Sequence, residues 1–374
     1  MSTADVAIIG GGAIGVACAR AAALRGLAVA IFEPGPDPAA ASPASAGMLA
    51  PQIEPADDAL VALSVRGRDL YEPLAPALRE TTGIDIGFWR SGIAAVAFDE
   101  PDAIRLKEEV ARQRQAGLRC DWLEADEVRE RWPGAAPECH GALFAPEDGA
   151  LDPQALTRAC LADARRLGAA LRPEPVESIQ VAQGRVTGVV TAAGTTSVEH
   201  AVLAAGVWSP RIRGLPRALP IEPLRGQMAA TAWPDGCPPS ILYHDQGYVL
   251  ARAGAALLGS TMERAGYDAH VTNEGLAQVF RGAVRLLPAL LTQAVQRVWA
   301  GLRPATPDGR PILGRDPDVE RLWYATGHGR NGILLAALTG EIIADLVTKG
   351  ATDVEIAPLG VDRFSQPQDA SHKP

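Results

Sequence analysis

The sequence predicts a mixed fold, α/β plus α+β, and three observations carry that prediction. The chain opens with an apolar run, a glycine-rich turn and an alanine-rich helical stretch. Its middle is strand-rich and punctuated by turns over 84–98 and 218–259, with helical stretches at 59–80, 153–167 and 272–286 between them. Near the end, an apolar run, a glycine cluster and an amphipathic helix recur. A length of 374 residues suggests two or three domains, and a 47% hydrophobic, 21% charged composition can bury a large core.

The first 33 residues read element by element. Val6-Ala7-Ile8-Ile9 is a β-branched apolar run of the kind found in buried parallel strands. Gly10-Gly11-Gly12-Ala13-Ile14-Gly15 follows, then helix to Arg25, a stop at Gly26, and a second strand over 28–32 that ends at Glu33. Strand, G-x-G-x-x-G, helix, strand and acid, in that order, form a Rossmann-like dinucleotide fingerprint. Gly10 permits the tight turn, Gly12 lets the backbone approach a pyrophosphate, and Gly15 allows close helix–strand packing. The free N–H groups at the helix start favour phosphate, and Glu33 can accept from ribose hydroxyls. Pro34-Gly35 bring no arginine for a 2′-phosphate, which argues against NADP and leaves NAD or FAD open.

Two distant segments extend this half. Stretches 173–182 and 184–192 read as hairpin strands leading to Ala201-Val202-Leu203-Ala204-Ala205-Gly206, then Val207-Trp208. Stretch 321–325 reads as a strand running into Gly327-His328-Gly329-Arg330-Asn331-Gly332 and a helix over 333–348. This second glycine pattern lacks a following strand that ends in an acid, so it is not a second dinucleotide site. A helix N-terminus here has another use: its partial positive charge suits the pyrimidine edge of a flavin, where reduction leaves negative charge.

Charge and cysteine usage exclude other classes. A net charge of −9 disfavours nucleic acid. Five scattered cysteines without metal spacing fit reduced thiols, with no metal expected. The only charge before the apolar stretch 6–30 is Asp5, and Arg20 and Arg25 interrupt the stretch, unlike an export signal; no membrane-length apolar run occurs elsewhere. A cytoplasmic chain without a membrane partner is expected, with a polar, frayed tail over 365–374.

Four segments together resemble the glycine oxidases, of the thiamine-biosynthesis type, within the D-amino-acid-oxidase-like FAD-dependent oxidoreductases. They are Gly10–Gly15 with Glu33, Ser45-Ala46-Gly47-Met48-Leu49-Ala50-Pro51, Gly301-Leu302-Arg303-Pro304, and Gly327-His328-Gly329-Arg330-Asn331-Gly332-Ile333-Leu334-Leu335. Gly329 departs from the resemblance, since relatives often carry an aromatic there. The resemblance implies a Rossmann-like FAD-binding domain over 1–84, 140–218 and 300–374. An interleaved, mostly antiparallel β-sheet domain for substrate binding and oligomerisation would occupy 85–139 and 219–299. It implies non-covalent FAD, consistent with Cys237 being the cysteine nearest the 301–308 stretch. The FAD contacts implied are Gly10, Gly12, Ala13, Ile14, Gly15, Glu33, Ser45, Ala46, Gly47, Met48, Val176, Ala205, Gly206, Trp208, His328, Gly329, Arg330, Asn331, Gly332 and Ile333.

For the chemistry, Arg303 is the expected carboxylate ligand, since a guanidinium donates two parallel hydrogen bonds to a carboxylate. Tyr248 is placed by the resemblance on the same carboxylate, Met48 and Met262 in the pocket lining, and Arg330 at the flavin or an adjacent ligand, with a structural ion pair as its rival. His244 and His328 receive no base role, because hydride transfer from a neutral amine needs no protein base at that step. The reaction implied is oxidation of glycine or a small amine-bearing acid, imine hydrolysis to the oxo acid, and reduction of dioxygen to hydrogen peroxide. Sarcosine or N-substituted-glycine oxidase and D-amino acid dehydrogenase activities stay open, as does a non-enzymatic dinucleotide-binding redox sensor. A homotetramer is expected from the resemblance alone.

Overall fold

The computed structural model describes residues 4–54 and 58–364, so the tail over 365–374 lies outside the described residues. Two eight-stranded sheets organise the chain. In the first, a parallel core runs in the order Ala170–Arg172, Val29–Phe32, Ala4–Ile9, Gly194–Leu203, Leu322–Thr326, with Ile312–Arg315 antiparallel at the far edge. The long strand Gly194–Leu203 runs past this core and carries an antiparallel flap made of Arg185–Thr191 and Ser178–Ala182. Strands Ala4–Ile9 and Val29–Phe32 are buried over almost their whole length, as the β-branched run predicts.

The glycine helix, Ala13–Leu24, stops where Gly26 turns with φ +82°. It packs against the C-terminal helix, Gly332–Lys349, and small residues let the two backbones meet. A Cβ added at Gly340 would lie 2.6 Å from the Ala17 carbonyl oxygen, and one at Gly15 would lie 1.9 Å from the Gly10 carbonyl oxygen. Both helices share the core built from Val6, Ile8, Ile31, Val202, Leu335 and Ile342.

The second sheet runs Val295–Ala305, Glu222–Ala232, Ala255–Gly259, Gly247–Arg252, Ile241–His244, Ile93–Ala97, Gly141–Ala145, Asp121–Glu124. It is antiparallel except where Ile241–His244 meets Ile93–Ala97. Helix Asn273–Leu286 covers one face, packing Val279, Ala283 and Leu286 onto Leu242, Val249 and Leu258. Its start is capped by the Thr272 side chain, which accepts from the Gly275 amide. A two-stranded ribbon, Met48–Leu49 with Gly149–Ala150, lies apart from the two large sheets.

Several sequence expectations are corrected. Stretch 59–80 is two helices, Asp58–Asp69 and Tyr71–Thr82. Only Ile93–Ala97 of 84–98 is strand, and 173–177 lies outside the flap strand, which begins at Ser178. Helix Glu100–Gln115, absent from the sequence reading, starts with an Asp99 cap and a proline in its first turn, signals that were present. Strand Gly141–Ala145 belongs to the second sheet, and Val295–Ala305 stays in it past residue 300. The borders expected at 140 and 300 therefore cut through the second sheet. Among the described residues no helix is long and apolar enough to cross a membrane, and no cluster of His, Cys, Asp and Glu could hold a metal ion.

Replacing Gly340 with valine should push the two helices apart and cost about 1–3 kcal/mol, the usual penalty for overpacking. Denaturant unfolding of the variant checks this, and an unchanged midpoint would show that the close approach carries no weight.

Candidate active site

One cavity of about 1170 Å³ lies between the two sheets, and nearly every residue expected at the site lines it. Its wall runs from Pro34–Pro38 and Leu171, past the glycine turn, to Arg303, Tyr248 and Met262. Gly10, Gly12, Ala13, Ile14, Glu33, Ser45, Ala46, Gly47, Met48, Val176, Ala205, Gly206, Trp208 and His328–Ile333 all take part. Gly15 does not line it; the residue serves the helix–strand packing described above.

The nucleotide end is built on backbone donors. Helix Ala13–Leu24 begins at Gly12, which has no side chain to cap it, so its first amides face the cavity. The Ala13 amide donates to Ser42 Oγ at 3.0 Å. Glu33 lies across the glycine turn, where its Oε2 accepts from the Gly11 amide at 2.6 Å and its Oε1 from the Gly35 amide at 3.2 Å. Ser42, missed by the sequence reading, was visible only as a small polar residue in a loop of alanines and prolines.

A second helix start opens into the same cavity. Helix Gly332–Lys349 has no side-chain cap at Asn331, and Asn331, Gly332, Ile333 and Leu334 line the wall. Tyr71 donates to the Ile333 carbonyl and ties this first turn to helix Tyr71–Thr82. His328 is 2% exposed and lies 3.0 Å through Nε2 from Thr339 Oγ1. Burial drags its imidazole down to about 3, so it is neutral at ordinary pH.

These features fit a flavin dinucleotide. Two uncapped helix N-termini offer orphan N–H donors and partial positive charge to one elongated cavity, which suits anionic groups at both places. Gly206 adopts φ +54°, and a Cβ added there would meet nothing within 4 Å, which leaves the wall flat. Ser45, Ala46 and Gly47 form a wall of small residues that Met48 continues, set by Gly47 at φ +78° and braced by Arg252, which donates to the Leu151 carbonyl at 2.8 Å and to the Ala46 carbonyl.

At the other end Arg303 folds back over its own sheet. Its Nη2 donates to Ser260 Oγ at 2.7 Å and its Nη1 to the Thr261 carbonyl at 3.1 Å, leaving further N–H groups to spare. Among the described residues it has no carboxylate partner within salt-bridge distance. Burial lowers its pKa, and Tyr248 and Glu54 oppose that shift. Tyr248 is buried, with its hydroxyl 3.7 Å from Met228 Sδ, and burial pushes it up to about 12, so it stays a proton donor. Two glycines make room for this pair: a Cβ at Gly226 would sit 2.2 Å from Arg303 Nη1, and one at Gly259 would sit 2.4 Å from the Tyr248 hydroxyl. Neither glycine was singled out by sequence, because the requirement comes from the strand beside each one.

Arg330 lies with its Nε 3.5 Å from Glu54 Oε2, so the ion pair named as its rival role is present while it also lines the cavity. Glu54 and Tyr243 were not foreseen; both line the cavity together with Tyr248 and Arg303. Met48 is half-buried, whereas Met262 is 54% exposed and stands at the mouth. Its loop is pinned by Arg225, which bonds Glu263 and reaches Asp268 at 3.2 Å. At Gly329 a Cβ would meet open space. His244 bonds Asp102 through Nε2 at 3.2 Å and accepts from the Gln246 amide through Nδ1, which engages both ring nitrogens.

Two outcomes test this geometry. Gly226→Ala should displace the Arg303 guanidinium and weaken carboxylate ligands about tenfold or more while leaving the flavin bound, measured by ligand titration of the flavin spectrum. For His328 the folded value lies below the ordinary value of about 6.5, so its stabilisation is present above pH 6.5 and is lost as pH falls from there toward 3. Over that window stability should fall by up to about 1.4 kcal/mol per pH unit from this group, and His328→Gln should remove that slope in urea melts.

The family model for FAD-dependent oxidoreductases of the DAO type matches residues 5–346. The glycine oxidase of Bacillus licheniformis is 37% identical over 92% of each chain. The bifunctional protein ThiO/ThiG of Trichormus variabilis is 37% identical over 97% of this chain but only 56% of its own length, so the chain spans about half of that relative. The crystal structure of glycine oxidase from Geobacillus kaustophilus superposes with a TM-score of 0.92 at 34% identity, covering 97% of this chain and 99% of that one. With the dinucleotide fingerprint, the second helix start and the cavity between two sheets all in place, the chain belongs to the DAO family of FAD-dependent oxidoreductases.

Proposed function

We propose that the protein oxidises glycine, or a similarly small amine-bearing acid, to the oxo acid and ammonia while reducing dioxygen to hydrogen peroxide. The observation that carries this reading is Arg303, a half-buried guanidinium without a carboxylate partner among the described residues, in the wall of the cavity that Tyr248 also lines. FAD, held at the glycine turn and at the 328–333 turn, would supply the two-electron oxidation of the substrate's Cα–N bond and the return of those electrons to dioxygen. Arg303 holds the substrate carboxylate with its spare N–H groups, and Tyr248, kept protonated by burial, donates to the same carboxylate. Glu54, which lines the same cavity as Arg303, accepts from the substrate amine at its Oε atoms. Met48 and Met262 cover the pocket and exclude water. For glycine the product imine takes up one water to give glyoxylate and ammonia.

The same reading places Gly10, Gly12, Glu33, Ser45, Ala46, Gly47, Val176, Gly206 and the 328–333 turn on the FAD. It divides the chain into an FAD-binding part over 1–84, 146–218 and 306–374 and a substrate part over 85–145 and 219–305. A cytoplasmic location, a homotetramer and a place in thiamine biosynthesis belong to it as well.

Anaerobic glycine should bleach the yellow holoprotein, and a peroxide assay across glycine, sarcosine, D-alanine and D-proline should rank glycine or sarcosine first. A flavin left oxidised by all four would overturn the reading. Arg303→Leu should raise the KM for glycine ~100-fold, and Tyr248→Phe ~10-fold, from the loss of charge-assisted hydrogen bonds. Both variants should keep their flavin; unchanged kinetics in Arg303→Leu would remove it from the site.

A further inference from the structure

Glu54 reaches the pocket from a short turn; its carboxylate meets Arg330 in the cavity wall, while the backbone of the turn is held from outside the cavity. The turn follows the ribbon strand Met48–Leu49, and the Glu54 amide donates back to the Ala50 carbonyl at 3.2 Å. Gln52, two residues before Glu54, is 4% exposed and has every hydrogen-bonding group engaged. Its amide N–H donates to Asp148 Oδ2 at 3.1 Å, and its carbonyl accepts from Gln113 Nε2 at 2.7 Å. Its side-chain oxygen accepts from Arg68 Nη1 at 2.8 Å, and its side-chain nitrogen donates to Gln113 Oε1 at 3.0 Å and to the Arg119 carbonyl at 2.8 Å.

The partners are themselves buried and come from separate elements. Arg68 lies on helix Asp58–Asp69, Asp148 on the turn after strand Gly141–Ala145, and Gln113 on helix Glu100–Gln115; each is at most 3% exposed. Arg68 Nη1 also meets Asp148 Oδ1 at 2.9 Å, which closes the network. A buried polar network that is fully satisfied specifies a single geometry, because any displacement leaves an unpaired group in low dielectric. None of Gln52, Arg68, Gln113 and Asp148 lines the cavity, whereas Glu54 does.

We infer that Gln52 is a positioning residue through which the buried Arg68–Asp148 pair and Gln113 hold the Glu54 carboxylate in the pocket, so that recognition of the substrate amine depends on a network outside the cavity. This rests on the reading of Glu54 as the amine acceptor. The network acts on the amine end alone, because Arg303 and Tyr248 are held by Ser260, Thr261 and the strands of the second sheet.

The test is a double-mutant cycle on the holoenzyme with Gln52→Met and Glu54→Gln. Gln52→Met should raise the glycine KM ~10-fold while the inhibition constant of acetate, a carboxylate without an amine, moves less than about twofold. In the Glu54→Gln background the same substitution should change the glycine KM less than about twofold. Equal effects in both backgrounds, or a parallel loss of acetate affinity, would overturn the inference. Gln113→Met, which removes bonds from a remote helix only, should give the same pattern at smaller size and decides the matter where Gln52→Met does not fold. Hydrogen exchange provides a reading free of substrate: Gln113→Met should speed exchange at the amides of Gln52 and Glu54 ~10-fold and leave that of Arg303 unchanged. Unaltered exchange at 52 and 54 would also overturn it. If the wild-type enzyme leaves glycine unoxidised, the substrate reading fails alone, and the exchange measurement still decides the positioning role.

Discussion

The close approach of Gly340 to the Ala17 carbonyl is the constraint on which the site depends. It lets the first long helix and the last one pack backbone to backbone on one face of the parallel sheet. Their N-termini then open into one cavity although they lie some three hundred residues apart in sequence. Neither start is capped by its own N-cap side chain, and beyond the Ala13 amide, which Ser42 Oγ accepts, both keep orphan N–H groups and partial positive charge pointed at the same space. An anionic dinucleotide satisfies both at once. The local positive potential that an acidic protein needs at such a site thus comes largely from backbone, with Arg303 as its side-chain counterpart.

The second sheet contributes in a different way. Its strands carry Arg303 and Tyr248 with two strands between them, and the side chains fit only because Gly226 and Gly259 leave the space beside them empty. Between the two sheets runs the segment 42–54, which belongs to neither. Neighbouring side chains hold it: Trp299 Nε1 donates to the Ala44 carbonyl at 2.9 Å, Arg252 donates to the Ala46 carbonyl, Gln113 donates to the Gln52 carbonyl, and Asp148 accepts from the Gln52 amide. Each bond fixes one stretch of cavity wall, and their loss would leave carbonyls unpaired in low dielectric.

Much of this was legible in advance because it depends on local pattern. The order strand, G-x-G-x-x-G, helix, strand, Glu33 reads from adjacent residues, and the helix starting at Gly332 reads from its period and its glycines. The structure agrees within a residue or two at both places. Glu54, Tyr243, Ser42, Gly226 and Gly259 could not be read, since none of them sits in a motif of its own. Helix Glu100–Gln115 was legible from its Asp99 cap and Pro101, but the apolar run before it is the stronger local signal and masks its start.

Sequence by itself determined the nucleotide fold and, through the motifs that carry the resemblance, the family, because glycine geometry and helix dipoles act over a few bonds. Tertiary structure alone decided where the borders between the sheets fall, that Arg330 pairs with Glu54, and that Met262 stands at the mouth. Those are relations between residues tens to hundreds of positions apart. Only the packing of the two sheets across one cavity sets them.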